Sequence, residues 1–504
     1  VAICFSKRSA ADFSSSAPVV LKPRFPATGK KVAVIGAGVA GLTAARELAL
    51  SGHGVIVFEK HRTPGGMLNQ GIPAFRLPRE IIDREIRQIA ATGVIIRCGV
   101  EIGTDVTLAR LSEDFDAVVL AAGTLRPNVL ELPGRELTGI EHGLSFLLQV
   151  NEFGRREIGG RVLVIGGGYT AMDCARTALR LCAQVGVVYR RAREEMVVLP
   201  GELEELLEEG GHLETNFAPL AFLGDRGKVI GVRFVRTRKG GPGRDGLRAP
   251  VEMPGAELEI GADTVILATG QFPQAGWIDA ALAPKLVARD GWLASGTAHR
   301  TAQRNIFVAG DFALGATTLI QAIGHAKACA LKVDEWLTGG PRSKPAAQIG
   351  AAFRSKLRGG RTTGRTAEMN VIPIHPMPRL AVVARGLVAE VETGFAEPVA
   401  KGEASRCYLC HYKFEIVDRD CVLCDECLKV KPVEGCIVEI ASLLRDDEGR
   451  VLGYTKIEKG GTDSLYYNRL WIDQSQCIRC GRCEAVCPVN AITIQKVALV
   501  STPA

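Results

Sequence analysis

The sequence predicts an α/β chain with two parallel-sheet domains, one inserted in the other, followed by a small cysteine-rich α+β domain. Three observations predict it. A strand, glycine turn and helix pattern occurs twice, at residues 30–60 and 160–191, and the first domain's strand pattern resumes near residue 305. Ten of the 15 cysteines lie between Cys407 and Cys487. At 504 residues the chain is too long for one ordinary core, so two to four domains are expected.

The first pattern is KKVAVIGAGVAGLTAARELALSGHGVIVFEK. Val32 to Ile35 reads as a buried parallel strand, Leu42 to Leu50 has helical spacing, and a second apolar run ends on Glu59. Between them Gly36 permits a tight turn, Gly38 lets a pyrophosphate approach the backbone, and Gly41 allows close helix packing. The helix N-terminus faces the phosphates and Glu59 accepts hydrogen bonds from a ribose diol. A lone GxGxxG is weak, but strand, helix, second strand and acid in register predict a dinucleotide site rather than a structural glycine turn.

The second pattern is GRVLVIGGGYTAMDCARTALRLCAQVGVVYRR, in which Gly166, Gly168 and Ala171 repeat the fingerprint with alanine in the third place. Its second strand ends on Tyr189, Arg190 and Arg191 instead of an acid. Guanidinium groups there pair with a 2′-phosphate, which favours NADPH, with NADH as the competing nucleotide. The bland alternative is two solvated arginines partnered by Glu194 and Glu195.

One unit suited to FAD and one to NADPH describe a flavoprotein that exchanges hydride with a nicotinamide. Residues 116–124 (DAVVLAAGT) and 263–270 (DTVILATG) each run a strand into a small-residue turn. NIFVAGDFALGATTLIQAIGHAKACA, residues 305–330, then runs a strand into Gly310 and Asp311, with a Thr-rich turn opening a helix. Asp311 is placed to bind a ribityl hydroxyl, and that helix N-terminus can face the flavin ring. The expected fold class is therefore α/β, with two Rossmann-like nucleotide-binding domains (the NADPH domain inserted in the FAD domain) plus a small α+β ferredoxin-like iron–sulfur domain.

GGMLNQGIPAFRLPREIIDREI (65–86), GGGYTAMDCARTALR, the VVYRR strand end and the VAGD motif together resemble the small subunit of NADPH-dependent glutamate synthase. They are equally similar to the flavin and NADPH domains of dihydropyrimidine dehydrogenase, and the resemblance covers about residues 28–340. It implies that Gly36, Gly38, Gly41, Glu59, Gly66, Arg76, Gly123, Gly310, Asp311 and Thr318 contact FAD. It implies that Gly168, Thr170, Ala171, Arg190 and Arg191 contact NADPH. The glutamate synthase subunit carries an N-terminal iron–sulfur domain where this chain has only VAICFSKRSAADF, and the barrel that reduces pyrimidines has no room here.

Cys98, Cys174, Cys182 and Cys329 are solitary, which speaks against a redox-active disulfide beside the flavin and for buried apolar roles. Residues 341–379 are rich in Pro, Gly and Arg and read as a solvated connector. The sharper alternative has Arg354, Lys356, Arg358, Arg361 and Arg365 dock an acidic partner.

The last block carries Cys421, Cys424 and Cys427 followed by Cys436, then Cys477, Cys480 and Cys483 followed by Cys487 and Pro488. Three cysteines on one turn ligate three irons of a cubane, and in two-cluster ferredoxins the distant fourth cysteine serves the other cluster. One [4Fe–4S] cluster is thus assigned to Cys421, Cys424, Cys427 and Cys487, the other to Cys477, Cys480, Cys483 and Cys436. Zinc is the competing metal, although two CxxCxxC triplets with a terminal Cys-Pro are seldom zinc sites. Cys407 and Cys410 have ligand spacing but supply two thiolates only, with His411 as a third group, and the sequence leaves their role open.

The expected domains are 1–29, an N-terminal segment read as a remnant of an iron–sulfur domain; 30–135 and 300–340, FAD; 136–299, NAD(P)H; 341–400, linker; and 401–504, two-cluster ferredoxin-like. A net charge of +7 without a basic stripe speaks against nucleic acid, and no long uncharged apolar run predicts a membrane span. Clustered unpaired cysteines imply a reducing, cytoplasmic compartment. The expected function is an electron-transfer flavoprotein subunit that exchanges electrons between NAD(P)H and the clusters through FAD. Hydride transfer to a flavin needs alignment rather than an acid or base, so no catalytic residue is named. Expected partners are other subunits of an oxidoreductase complex such as a 2-oxoacid oxidoreductase, a glutamate-synthase-like large subunit, or free ferredoxin. A stand-alone NADPH:ferredoxin oxidoreductase and an assembly scaffold with vestigial sites are the alternatives, and direction of flow is set by thermodynamics.

Overall fold

The computed structural model describes all residues except 1, 15–20, 182–183, 243–247, 289–290, 294–295, 297–298, 343–346, 350–364, 411, 446, 448–450, 457–468, 497–498 and 502–504. Cys182, His411, Arg354, Lys356, Arg358 and Arg361 thus lie outside the described residues. The chain forms two units: residues 17–342 with 380–392, and residues 1–16 and 343–379 with 393–504.

The larger unit holds two five-stranded parallel sheets. In the first, the strands Lys31–Ile35, Gly54–Glu59 and Ile95–Cys98 lie on one side and Ala117–Leu120 and Ile306–Val308 on the other. Parallel strands covered on both faces need continuous apolar runs. Val32 to Ile35 and Ala117 to Leu120 supply them, at 0–5% exposure. The strand Ile306–Val308 pairs with Ala117–Leu120 from nearly 190 residues away, so everything between is an insertion or its flank. The second sheet orders Ile140–His142, Thr264–Leu267, Arg161–Ile165, Gln184–Tyr189 and His212–Thr215. A three-stranded antiparallel sheet of Phe217–Asp225, Lys228–Pro242 and Arg248–Gly261 interrupts it. Each fingerprint helix, Val39–Leu50 and Tyr169–Arg180, packs a small-residue face on its own sheet.

Residues 380–392 belong to this unit, so the stretch 341–400 is not a single free connector. The Val391 amide donates to Phe75 O at 2.9 Å, and Arg385 pairs with Glu209 at 3.0 Å and Glu208 at 3.2 Å. Glu209 also accepts from Arg176 and Arg180. Burial alone would raise the Glu209 carboxyl, but these guanidiniums outweigh it and hold the group at about 2.

The smaller unit has a repeated strand-and-helix plan. Tyr412–Ile416 pairs antiparallel with Ile492–Lys496, and Ile437–Arg445 pairs with Arg469–Ile472 and Val451–Lys456. Four-residue helices, Glu426–Lys429 and Arg482–Ala485, carry the last cysteine of each triplet. Phe414, Ile437, Leu470, Ile472, Ile492 and Ile494 form the core with the cysteines. The helix Ile3–Asp12 packs in this unit, with Phe5 edge-on to Phe395 at 5.9 Å. Arg365 is 2% exposed and donates to Cys407 O, Thr366 O and Asn370 Oδ1, so its guanidinium is structural and unavailable to an acidic partner.

Candidate functional site

A deep cavity opens at the C-terminal ends of the first sheet's strands, where ligands enter open α/β sheets. Its floor is the first fingerprint. Gly36 turns the chain at φ +98°, and its amide donates to Phe58 O at 2.8 Å; a Cβ there would lie 2.6 Å from Ala121 O. Gly38 caps the helix Val39–Leu50, and Gly66, at φ +53°, faces it so closely that a Cβ on Gly66 would sit 2.8 Å from Gly38 Cα. Two bare backbones meeting before a helix N-terminus form a cradle for a diphosphate.

Glu59 is 6% exposed, and its carboxylate accepts from the amides of Ala37 and His61 at 2.8 and 2.9 Å. This fixes the acid at the cavity wall, with lone pairs left for a ribose diol. At the other end lie Gly123, Asp311 and Thr318. Thr318 caps the helix Leu319–Thr338 through a capping box with Gln321. Asp311 accepts from Thr317 Oγ1 at 2.5 Å, and burial raises its carboxyl above the ordinary value against that hydrogen bond.

Of the FAD residues implied by resemblance, Gly36, Gly38, Glu59, Gly66, Gly123, Asp311 and Thr318 line this cavity. Gly41 and Gly310 stand behind it as packing positions: a Cβ on Gly41 would lie 1.9 Å from Gly36 O, and one on Gly310 would lie 2.4 Å from Ala40 Cβ. Arg76 is not brought to the cavity. Its guanidinium donates to Asp173 at 2.7 Å and to Glu202, and sits over the Tyr169 ring. Burial pushes the Asp173 carboxyl up to about 6 despite Arg76. Gln70, Gln271, Gln274, Trp277 and Thr317 line the cavity without any fingerprint having marked them.

Gln70 tests whether the cavity fits a flavin. It is 3% exposed, and its Nε2 has no partner among the described residues. An orphaned buried amide costs about 1–3 kcal/mol, which an acceptor-rich ligand would remove. Gln70→Leu is expected to weaken FAD binding about tenfold and to shift the flavin reduction potential. Unchanged affinity with raised thermal stability would mean that no ligand meets the amide. None of the lining residues is a cysteine. Cys174 and Cys329 are buried, and burial raises the Cys174 thiol well above its ordinary value and Cys329 to about 12. Neither is a thiolate nucleophile.

The second fingerprint builds a turn of the same kind. Gly166 sits at φ +148°, Gly168 caps the helix Tyr169–Arg180 in which Thr170 and the buried Ala171 stand, and Arg190 and Arg191 follow the strand Gln184–Tyr189. Gly167 is required as well, since a Cβ would strike the Tyr189 ring at 2.4 Å. Arg190 is exposed, and its carbonyl is pinned by Thr237 Oγ1 at 2.8 Å. Glu195 turns toward Lys239 at 3.7 Å and accepts from Ala192 N.

In the smaller unit, Cys421, Cys424, Cys427 and Cys487 line one cavity, and Cys436, Cys477, Cys480 and Cys483 line another. Four cysteines ringing a space are suited to a cluster. Burial pushes the Cys427 thiol up to about 11, so metal binding there must displace a proton.

Known proteins match both parts of the chain. Residues 30–330 match the pyridine nucleotide-disulphide oxidoreductase family, and residues 470–493 match the 4Fe-4S binding domain. The NADP(+)-dependent formate dehydrogenase subunit beta of Moorella thermoacetica is 35% identical over 402 residues, 76% of this chain and 55% of that protein. The NADPH-Fe(3+) oxidoreductase subunit beta of Geobacter sulfurreducens is 32% identical over 82% of this chain and 66% of that protein. The glutamate synthase [NADPH] small chain of Escherichia coli is 36% identical over 62% and 69%. The chain thus spans little more than half of the first of these relatives. FprA from Mycobacterium tuberculosis shares the fold, with a TM-score of 0.55, 20% identity and coverage of 62% of this chain and 85% of that one. Among the described residues no helix is long and apolar enough to cross a membrane.

Proposed function

We propose, for a chain that belongs to the pyridine nucleotide-disulphide oxidoreductase family, that it exchanges electrons between NADPH and two [4Fe–4S] clusters through FAD, as one subunit of a larger oxidoreductase. The observation that carries this is the pairing, in one chain, of a fingerprint cavity fit for FAD with two cysteine quartets. Bound in the cavity, FAD would supply the change from two-electron to one-electron chemistry that links a nicotinamide to a cluster.

The residues divide this work. Gly36, Gly38 and Gly66 give the diphosphate its backbone cradle, Glu59 holds a ribose, and Asp311 with Thr317 orients the ribityl chain. Thr318 presents a helix N-terminus to the ring end of the cavity, and Trp277 helps exclude water. Gly168, Thr170 and Ala171 present the second helix N-terminus to the nicotinamide nucleotide, with Arg190 and Arg191 toward its 2′-phosphate. The cysteine quartets hold the clusters.

The relatives that are subunits of formate dehydrogenase, of an NADPH-Fe(3+) oxidoreductase and of glutamate synthase support a partner-bound role. The proposed partner is a low-potential donor complex of the 2-oxoacid oxidoreductase kind, because a pair of low-potential cubanes suits oxidative decarboxylation. The test is anaerobic addition of NADPH, and separately NADH, with flavin absorbance and low-temperature EPR recorded. Flavin bleaching is expected, faster with NADPH; reduced-cubane signals after it mark flow from NADPH to the clusters, clusters that stay oxidised mark flow from the low-potential donor toward NADP⁺, and no bleaching by either nucleotide sinks the proposal.

Nucleotide choice has its own test. Arg190→Ala removes one charge-assisted contact, so KM for NADPH is expected to rise about 10- to 100-fold while KM for NADH barely moves. Equal effects on both would remove the 2′-phosphate role.

A further inference from the structure

Three Cys-x-x-Cys turns in the smaller unit share one backbone feature. They begin at Cys407, Cys421 and Cys477, and in each the residue before the second cysteine has positive φ: Leu409 at 48°, Leu423 at 54° and Arg479 at 57°. Such a conformation is unfavourable for a non-glycine residue and persists only where its surroundings impose it. The turn at 407–410 copies that at 477–480 in two further respects. The Leu409 amide points to Cys407 Sγ at 3.4 Å, as the Arg479 amide points to Cys477 Sγ at 3.4 Å. A buried arginine also grips the leading cysteine's carbonyl in both, Arg365 through Nε on Cys407 O at 3.0 Å and Arg479 through Nη1 on Cys477 O.

Arg365 also lies over the Tyr408 ring, 4.9 Å from its centroid, which locks the turn from a point 42 residues upstream. An amide aimed at sulfur stabilises the thiolate, the form that ligates metal. Cys407 and Cys410 belong to neither cysteine quartet, and both are exposed. We propose that Cys407 and Cys410 are the preformed half of a third thiolate metal site. It takes a thiophilic cation of the zinc or iron class, its open half being filled by water or by ligands from another chain. The inference rests on reading the turns at 421–424 and 477–480 as cluster-ligating.

The test is anaerobic titration of the iron-loaded protein with zinc alone, with iron and sulfide counted before and after. The intact chain is expected to take up zinc, at one ion per chain or one per pair of chains, without losing iron. Cys407→Ser/Cys410→Ser should keep its iron and bind zinc at least about tenfold more weakly. If the double variant folds poorly, Cys410→Ser alone, at an exposed position, serves the same purpose. No uptake by the intact chain, or equal uptake by the variants, overturns the inference; an intact chain purified without iron and sulfide would instead overturn the cluster reading.

Discussion

Gly41→Ala is expected to strip the flavin from the chain while leaving the second sheet folded. Position 41 is the third residue of the helix Val39–Leu50, where a Cβ would lie 1.9 Å from Gly36 O and 3.0 Å from Gly36 C. Both atoms are backbone, and Gly36 is held in place: its amide donates to Phe58 O, and it sits at a φ of +98° that the turn requires. The helix must therefore shift outward, taking Gly38 and the diphosphate cradle with it. Overpacking of this kind costs about 1–3 kcal/mol, or about 5- to 150-fold in FAD affinity where the distortion falls on the site. The second fingerprint carries Ala171 at the equivalent place, fully buried, so its helix accommodates a Cβ from the start. Gly324→Ala, on the helix Leu319–Thr338 with nothing within 4 Å of the added atom, is the control that should keep its flavin. The FAD to protein ratio after purification, with the dissociation constant from flavin fluorescence, reads the effect. Full flavin content in Gly41→Ala would mean that the helix does not set the cradle.

Both fingerprints were legible in the sequence for the reason that makes Gly41 sensitive. A strand, a positive-φ turn and a helix N-terminus are local, and glycine is the residue that such backbone demands. The cysteine triplets were legible for a similar reason, because three ligands on one turn fix their own spacing. Residues that arrive from afar were not. Gln271, Gln274 and Trp277 reach the FAD cavity only because the chain passes back after the inserted sheet, and Thr317 is one threonine among several until Asp311 folds beside it. Arg76 is the converse case. Resemblance implies that it contacts the flavin, and in the structure its guanidinium is held by Asp173 and Glu202, 97 and 126 residues later. The stretch 341–400 read as one connector, yet Arg365 is consumed by the Cys407 turn and Arg385 by Glu209. Composition predicts that such arginines are solvated; only the fold shows which carbonyl or carboxylate claims each one.

The sharpest consequence of the cysteine geometry concerns Cys487. It lies four residues after Cys483 and belongs by sequence to the second triplet, but the cavity it lines is that of Cys421, Cys424 and Cys427. Cys436 crosses the other way, to Cys477, Cys480 and Cys483. The antiparallel pairing of Tyr412–Ile416 with Ile492–Lys496 produces this exchange, since it draws the chain after Cys487 alongside the strand leading to Cys421. Cys487→Ser is therefore expected to remove the cluster of the first triplet. Iron should fall from about eight toward about four per chain, and the reduced EPR signal lost should be the one lost in Cys421→Ser. Cys436→Ser should instead match Cys477→Ser. If Cys487→Ser and Cys477→Ser lose the same signal, each triplet keeps its own fourth cysteine and the crossed assignment fails. If it holds, the two clusters are stitched through each other's loops, so losing either one loosens the turn that supports its neighbour, and iron loss from the remaining site should be faster than in the intact chain.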